Sequence, residues 1–523
     1  MAKDSMQFAR LAVGVIGLAL LGGAACSSEV VVVKAGDPAG GDEGATSDQS
    51  PTDPSGKPSD PNDPSAPSLP LATGVSIDDV AIFQAVKVDL AKDGAPVAAS
   101  ARVAPVVAKR PALVRVYVSP SASGEAQEIT GELKVTVGGT SKVYRDTKTA
   151  GFKSTDDNLS STFNFEVPAG DLDVGATFQV ALTSKAGKNT TEASPARFPR
   201  DGSQAPLGVE SSGEKLKIVV VPVRYDADGS GRVPDVGASQ LELYRQTMMK
   251  LYPAAEVEVT ARAPMPWSTV ISRNGSGFST ILRAITELRQ SDRVPSNVYY
   301  YGALAPAPSM SSFCGGGCVT GLSTVVNRVN DSFLRASVGV GFPGESSANT
   351  MAHELGHAHG RNHAPCGGAN GVDPNFPHAG AGIGVWGYDI LGKKLISPSK
   401  GKDFMGYCPN EWVSDYTFSA LFDRVAAVNG ARASQLVGGI TEPTTWRIGS
   451  VDADGAVTFG HDDVTLDSVG AESVRDLTMF DGSDRVIGHQ NARFYPFADL
   501  PGGLVLVPPT ASIASVKRIA VTH

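Results

Sequence analysis

Cysteine is scarce in this chain, with five among 523 residues. One close pair, Cys314 and Cys318, has no second CxxC-like partner, so a thiolate cage for a structural metal is disfavoured. Positive charge is short as well: 45 lysines and arginines face 54 aspartates and glutamates, for a formal net charge of -9. Residues 27–70 hold eight acidic and two basic side chains, so -6 of that -9 sits there and the rest of the chain is nearly neutral. No basic field exists to draw phosphates, and nucleic acid is not an expected partner. The apolar run over residues 11–21 is too short for a comfortable membrane span.

The length and an apolar content of 41% suit two to four domains with ordinary cores. Residues 1–26 read as an export signal: Lys3 and Arg10 precede the apolar run, and small residues lead to Cys26. A cysteine in that place resembles the bacterial lipobox, which implies lipidation of Cys26, a membrane anchor and, with Ser27 following, transport to the outer membrane. A simple secretory peptide is the alternative. Residues 27–74, with seven prolines between Pro51 and Pro70, read as a disordered tether.

Over residues 75–205 the apolar residues alternate: Val114, Val116 and Val118; Leu133, Val135 and Val137; Phe163, Phe165 and Val167; Phe178, Val180 and Leu182. Each run predicts a strand with one buried face, and Gly138-Gly139 predicts a hairpin. Short strands at this spacing suggest an immunoglobulin-like β-sandwich, with a structural spacer as its default role. Residues 432–523 again contain strand-like segments and read as a small β-rich domain, whose isolated His461, His489 and His523 are expected to be packed or surface residues.

The chemistry concentrates in His353-Glu354-Leu355-Gly356-His357-Ala358-His359-Gly360-Arg361-Asn362-His363. Four residues apart on a helix, His353 and His357 share a face and can reach one cation. Glu354 sits one position round, placed to take a proton from water. Gly360 can end the helix through a left-handed turn, so that the chain brings His363 back as third ligand. Three ligands leave a fourth position open, the catalytic and not the structural zinc arrangement. His359 points to the opposite side and reads as a packed or surface histidine.

At these residues the chain resembles the metzincin metallopeptidases, matching their HExxHxxGxxH signature at every fixed position. The resemblance implies a methionine turn beneath the metal, for which Met405 in Asp403-Phe404-Met405-Gly406-Tyr407-Cys408 stands in place. It also implies that Tyr407, two residues later, reaches the zinc or the developing oxyanion; an aromatic packed under the helix is the alternative. Ala364 replaces the residue that distinguishes the best-known branches, and secreted bacterial mucin-cleaving enzymes and the gametolysin group are the nearest suggested. Cys314 and Cys318 flank three glycines, while Cys366 and Cys408 follow the third histidine and the methionine turn. The expected disulfides are therefore Cys314–Cys318 and Cys366–Cys408.

Residues 206–431 read as the peptidase domain, an α+β metzincin-like fold with a mixed twisted sheet. Residues 215–223 predict a buried strand, residues 241–252 a helix, residues 256–261 a parallel strand and residues 278–288 a second helix. Strands near 298–302, 321–325 and 336–340 precede the histidine helix at about 346–359. By resemblance, residues 321–325 form the edge that pairs with extended substrate. Asp226-Ala227-Asp228-Gly229-Ser230-Gly231 is like a calcium loop, but Gly237 stands where an EF-hand needs glutamate, so a polar turn is expected over a Ca2+ site. The resulting expectation is a surface-anchored endopeptidase with one catalytic zinc, acting on protein or peptide substrates. The rival is a non-catalytic surface adhesin that keeps the fold.

Overall fold

The computed structural model describes residues 69–121, 126–151, 153–430, 443–466, 469, 474–509 and 515–522. The export signal, Cys26, nearly all of the tether and His523 lie outside the described residues. Among the described residues no helix is long and apolar enough to cross a membrane.

Alternation builds the first part of the fold. In Gln127–Val137 the buried Ile129, Leu133 and Val135 face inward, and Gly138 and Gly139, at φ of 56° and 81°, form the two-residue turn to Thr140–Ala150. Positive φ at both turn residues matches the twist of the flanking strands and costs glycine little. Two antiparallel sheets result. One orders Ala95–Pro96, Lys87–Lys92, Val75–Phe83, Ala112–Pro120 and Phe163–Val167; the other runs from Arg197–Phe198 through Thr177–Thr183 and Gln127–Val137 to Thr140–Ala150. Phe163, Phe165, Phe178 and Leu133 share one core between them. Leu71 and Ala72, which composition assigns to the tether, pair with Thr183 and Leu182, because their apolar side chains and free backbone groups complete a sheet edge.

This β region is not merely tethered to the next one. The fully buried Arg110 donates to the carbonyls of Tyr252 at 2.8 Å and Ala254 at 3.0 Å, and also to that of Met249. It therefore satisfies the orphan carbonyls at the end of the helix Ala238–Leu251. Burial pulls its guanidinium down to about 10.

The central sheet orders Val257–Ala261, Leu216–Tyr225, Val298–Leu304, Ala336–Val340 and Gly321–Ser323, with Met265–Trp267 beside Leu216–Tyr225. All pairings are parallel except the last, where Gly321–Ser323 runs antiparallel to Ala336–Val340 at the sheet edge. Successive side chains alternate between faces. Tyr299 and Tyr301 join the core under the helices Ala238–Leu251 and Glu345–Ala358, while Tyr300 joins Ile281 and Ile285 of the helix Phe278–Ser291 on the other side. Asp226 pairs with Arg224 at 3.1 Å and Asp228 with Arg232 at 2.5 Å, so arginines occupy the carboxylates of the calcium-like loop. Both expected disulfides are present.

The C-terminal residues form one six-stranded antiparallel sheet in the order Val457–Leu466, Thr444–Val451, Gly503–Val507, Val486–Pro496, Val474–Phe480 and Arg518–Thr522. This sheet is docked and not pendant: Ile448, Leu466, Tyr495, Leu504 and Leu506 share a core with Phe278, Ile281 and Ile285. His461 and His489 are exposed on it.

Candidate metal centre

The histidine helix Glu345–Ala358 ends where the glycine stands. Gly360 takes φ of 83°, its N–H donates to the His357 carbonyl at 2.8 Å, and Arg361 N–H reaches the Gly356 carbonyl at 3.0 Å. The reversed chain then returns His363 to the helix.

Each imidazole is aimed by a carbonyl. His353 Nδ1 donates to Phe404 at 2.8 Å, His357 Nδ1 to Arg361 at 2.6 Å, and His363 Nδ1 to Asn370. A carbonyl only accepts, so Nδ1 of each ring carries a proton, and it is Nε2 that is left to offer a lone pair. Burial holds His353 below its ordinary value and His357 at about 3, so both are neutral, as metal ligands must be.

These lone pairs converge. His353 Nε2 and His357 Nε2 lie 3.2 Å apart, and His363 Nε2 faces a carboxylate oxygen of Asp499 at 3.0 Å. Acceptors set against acceptors inside a protein repel unless a cation sits among them. The set His353, His357, His363 and Asp499 offers four ligand atoms within 4.8 Å of one another, and it suits a metal ion.

Asp499 is the residue that the sequence did not disclose. It comes from the C-terminal sheet, 136 positions after His363, and lies in a loop without helical or strand period. It also lies 3.9 Å from His353 Nε2 and 3.8 Å from His357 Nε2. Burial raises its carboxyl, and the positive charge that His357, His363 and His353 carry when protonated lowers it below the usual carboxylate range.

Glu354 is buried, lines the cleft and has one carboxylate oxygen without a partner. Burial, followed by the charge of Asp499, raises its carboxyl well above the ordinary value. It lies against Gly321 of the edge strand so closely that a β-carbon there would overlap it. The Tyr407 hydroxyl stands 3.1 Å from His363 Nε2 and donates to Asp499 at 2.5 Å, so this ring belongs to the site and is not packed under the helix. Burial and then the neighbouring Asp499 raise its phenol strongly.

Met405 sits beneath the helix against Gly356. The fully buried Asp403 holds that turn, accepting from Met405 N–H at 2.9 Å and Ser414 N–H at 3.0 Å. Asp373 pairs with Arg361 at 3.1 Å, the residue whose carbonyl orients His357. Sequence reasoning missed both roles, since each depends on a backbone group brought close by a turn. His359 is buried and takes no part: it stacks on Tyr299 at 4.2 Å, bonds to the Leu355 carbonyl at 2.7 Å, and burial lowers it to about 3.

Residues 335–417 match the model of the Peptidase M66 family. That family is one of metallopeptidases, so the match and the histidine cluster together support a metallopeptidase. The M66 region takes in the histidine helix, the third histidine and the methionine turn, but ends before Asp499. No curated protein matches the chain.

Proposed function

We propose that the chain is a zinc-dependent endopeptidase that hydrolyses peptide bonds of extracellular proteins, with Glu354 as general base. The observation that carries this reading is the convergence of three Nε2 lone pairs beside a buried glutamate with an unpartnered oxygen. His353, His357 and His363 would hold the zinc, whose soft preference for imidazole they fit. When bound, the ion would polarise the scissile carbonyl and acidify a water next to it.

The chain's own residues supply the rest. Glu354 takes a proton from the attacking water and passes it to the leaving amine, a role suited to a carboxyl raised by burial. Tyr407 donates its hydroxyl to the developing oxyanion. The edge strand Gly321–Ser323 pairs with the substrate backbone. A cavity of about 500 Å³ lined by Thr320, Gly321, Asn349, Glu354, Tyr407 and Glu411 receives a substrate side chain. We read this part as metzincin-like, the N-terminal sheets as an immunoglobulin-like sandwich, and Cys26 as the lipidated residue that anchors the protein at the outer membrane.

The test is zinc content of the chain without residues 1–68, together with chelator-sensitive cleavage of a peptide library. Glu354→Gln is expected to keep the metal and lose about a hundredfold or more in hydrolysis. Undiminished cleavage by that variant would end the assignment of Glu354.

A further inference from the structure

One segment of the chain already lies where an extended substrate would. Ala498 donates its N–H to the Ser323 carbonyl at 2.9 Å, and Phe497 bridges Thr324 in antiparallel register. The free edge of the peptidase sheet is thereby used by the C-terminal sheet. One residue further on, Asp499 enters the histidine ring, 3.0 Å from His363 Nε2, and accepts the Tyr407 hydroxyl at 2.5 Å.

The chain then turns away. Phe497 N–H donates to the Gly502 carbonyl at 3.1 Å, closing the tip of the hairpin formed by Val486–Pro496 and Gly503–Val507. The tip is anchored on both flanks. Phe497 is buried in the core shared with the helix Phe278–Ser291, and Leu500 packs near Gly275 and Val319. Past Asp499, on the side of Gly321 and Thr320, the cavity remains open. The hairpin tip thus occupies one side of the cleft and stops at the histidines.

We propose that residues 497–502 are a built-in occupant of the substrate cleft that keeps the enzyme latent, with Asp499 as the fourth ligand at the metal. This rests on the metallopeptidase reading given above. Three features that hydrolysis needs are engaged by one short loop: the Ser323 end of the edge strand, the coordination position left by three histidines, and the Tyr407 hydroxyl. A water cannot take the position that a carboxylate fills. Because the occupant belongs to the same chain, its effective concentration at the cleft far exceeds that of a free peptide. Activity requires the tip to withdraw.

Two full-length variants test this. Asp499→Asn keeps the size of the side chain and removes the charge; Ala498→Pro keeps Asp499 and removes the N–H that pairs with Ser323. Cobalt(II) is titrated into each, followed by visible absorption, and hydrolysis of a quenched fluorescent peptide library is measured at saturating metal. Asp499→Asn is expected to weaken cobalt affinity about tenfold and alter the absorption bands, while raising hydrolysis about tenfold by freeing the cleft. Ala498→Pro is expected to raise hydrolysis with the smaller effect on metal. A merely structural role would lower affinity and hydrolysis together. Unchanged cobalt affinity and bands in Asp499→Asn overturn the ligation, and hydrolysis unchanged or lowered in both variants overturns the latency, each with metal binding intact. Failure of every protein to bind cobalt overturns the metallopeptidase reading, and this inference with it.

Discussion

The sulfur of Met405 lies against Gly356 so closely that a β-carbon at position 356 would overlap it. The methionine turn and the histidine helix are thus in contact where the helix has no side chain, one residue before His357. Gly356→Ala would add about 1 kcal/mol of helix propensity, but forcing a methyl group into this contact costs about 1–3 kcal/mol. The variant is expected to be net destabilised in denaturant melts and to bind metal more weakly, because Phe404, which orients His353, moves with the turn.

Gly321 stands in the same relation to Glu354. Gly321→Ala is expected to displace the carboxylate while leaving the three histidines in place. Hydrolysis should fall about a hundredfold, the scale of a lost general base, with metal affinity held. Equal losses in both would show that the edge strand, and not the glutamate, had moved.

The two disulfides close loops of different length, with sequence separations of 42 for Cys366–Cys408 and 4 for Cys314–Cys318. Loop-closure entropy makes the longer bridge worth about 4 kcal/mol and the shorter about 2 kcal/mol. Cys366→Ser should therefore lower the unfolding free energy more than Cys314→Ser. It should also weaken metal binding, since Cys366 and Cys408 join the segment after His363 to the segment after Met405.

The Asp373 carboxylate touches none of the three imidazoles. It pairs with Arg361, whose carbonyl accepts from His357, and the Asp373 N–H donates to the His363 carbonyl at 2.8 Å. Asp373→Asn is expected to cost about tenfold in metal affinity, as loss of outer support does at other metal sites. A cobalt titration of the full chain reads this directly, and an unchanged affinity would remove the Asp373 carboxylate from the positioning of His357.

Much of the site was legible because it is local. His353, Glu354 and His357 share one helix, so the period of that helix alone sets their relative places, and Gly360 marks the turn that returns His363. The strands were legible where alternation is clean, as at Ile129, Leu133 and Val135. Arg110 was not legible: it is buried because it satisfies the end of a helix more than 130 residues away, and no neighbour in sequence signals that need.

By itself, then, the sequence determined that His353, Glu354, His357 and His363 come together, which follows from short-range spacing, while the edge strand and the pairing of Cys366 with Cys408, 42 residues apart, were reached through the family resemblance. The tertiary structure alone decided that the C-terminal sheet docks on the helix Phe278–Ser291 and delivers Asp499 to the histidines. A single aspartate in a loop carries no period. Its partner is chosen by how two sheets pack, and that choice is spread over apolar contacts such as Tyr495 with Phe333, at 5.4 Å between ring centres, whose mates lie far away in the chain.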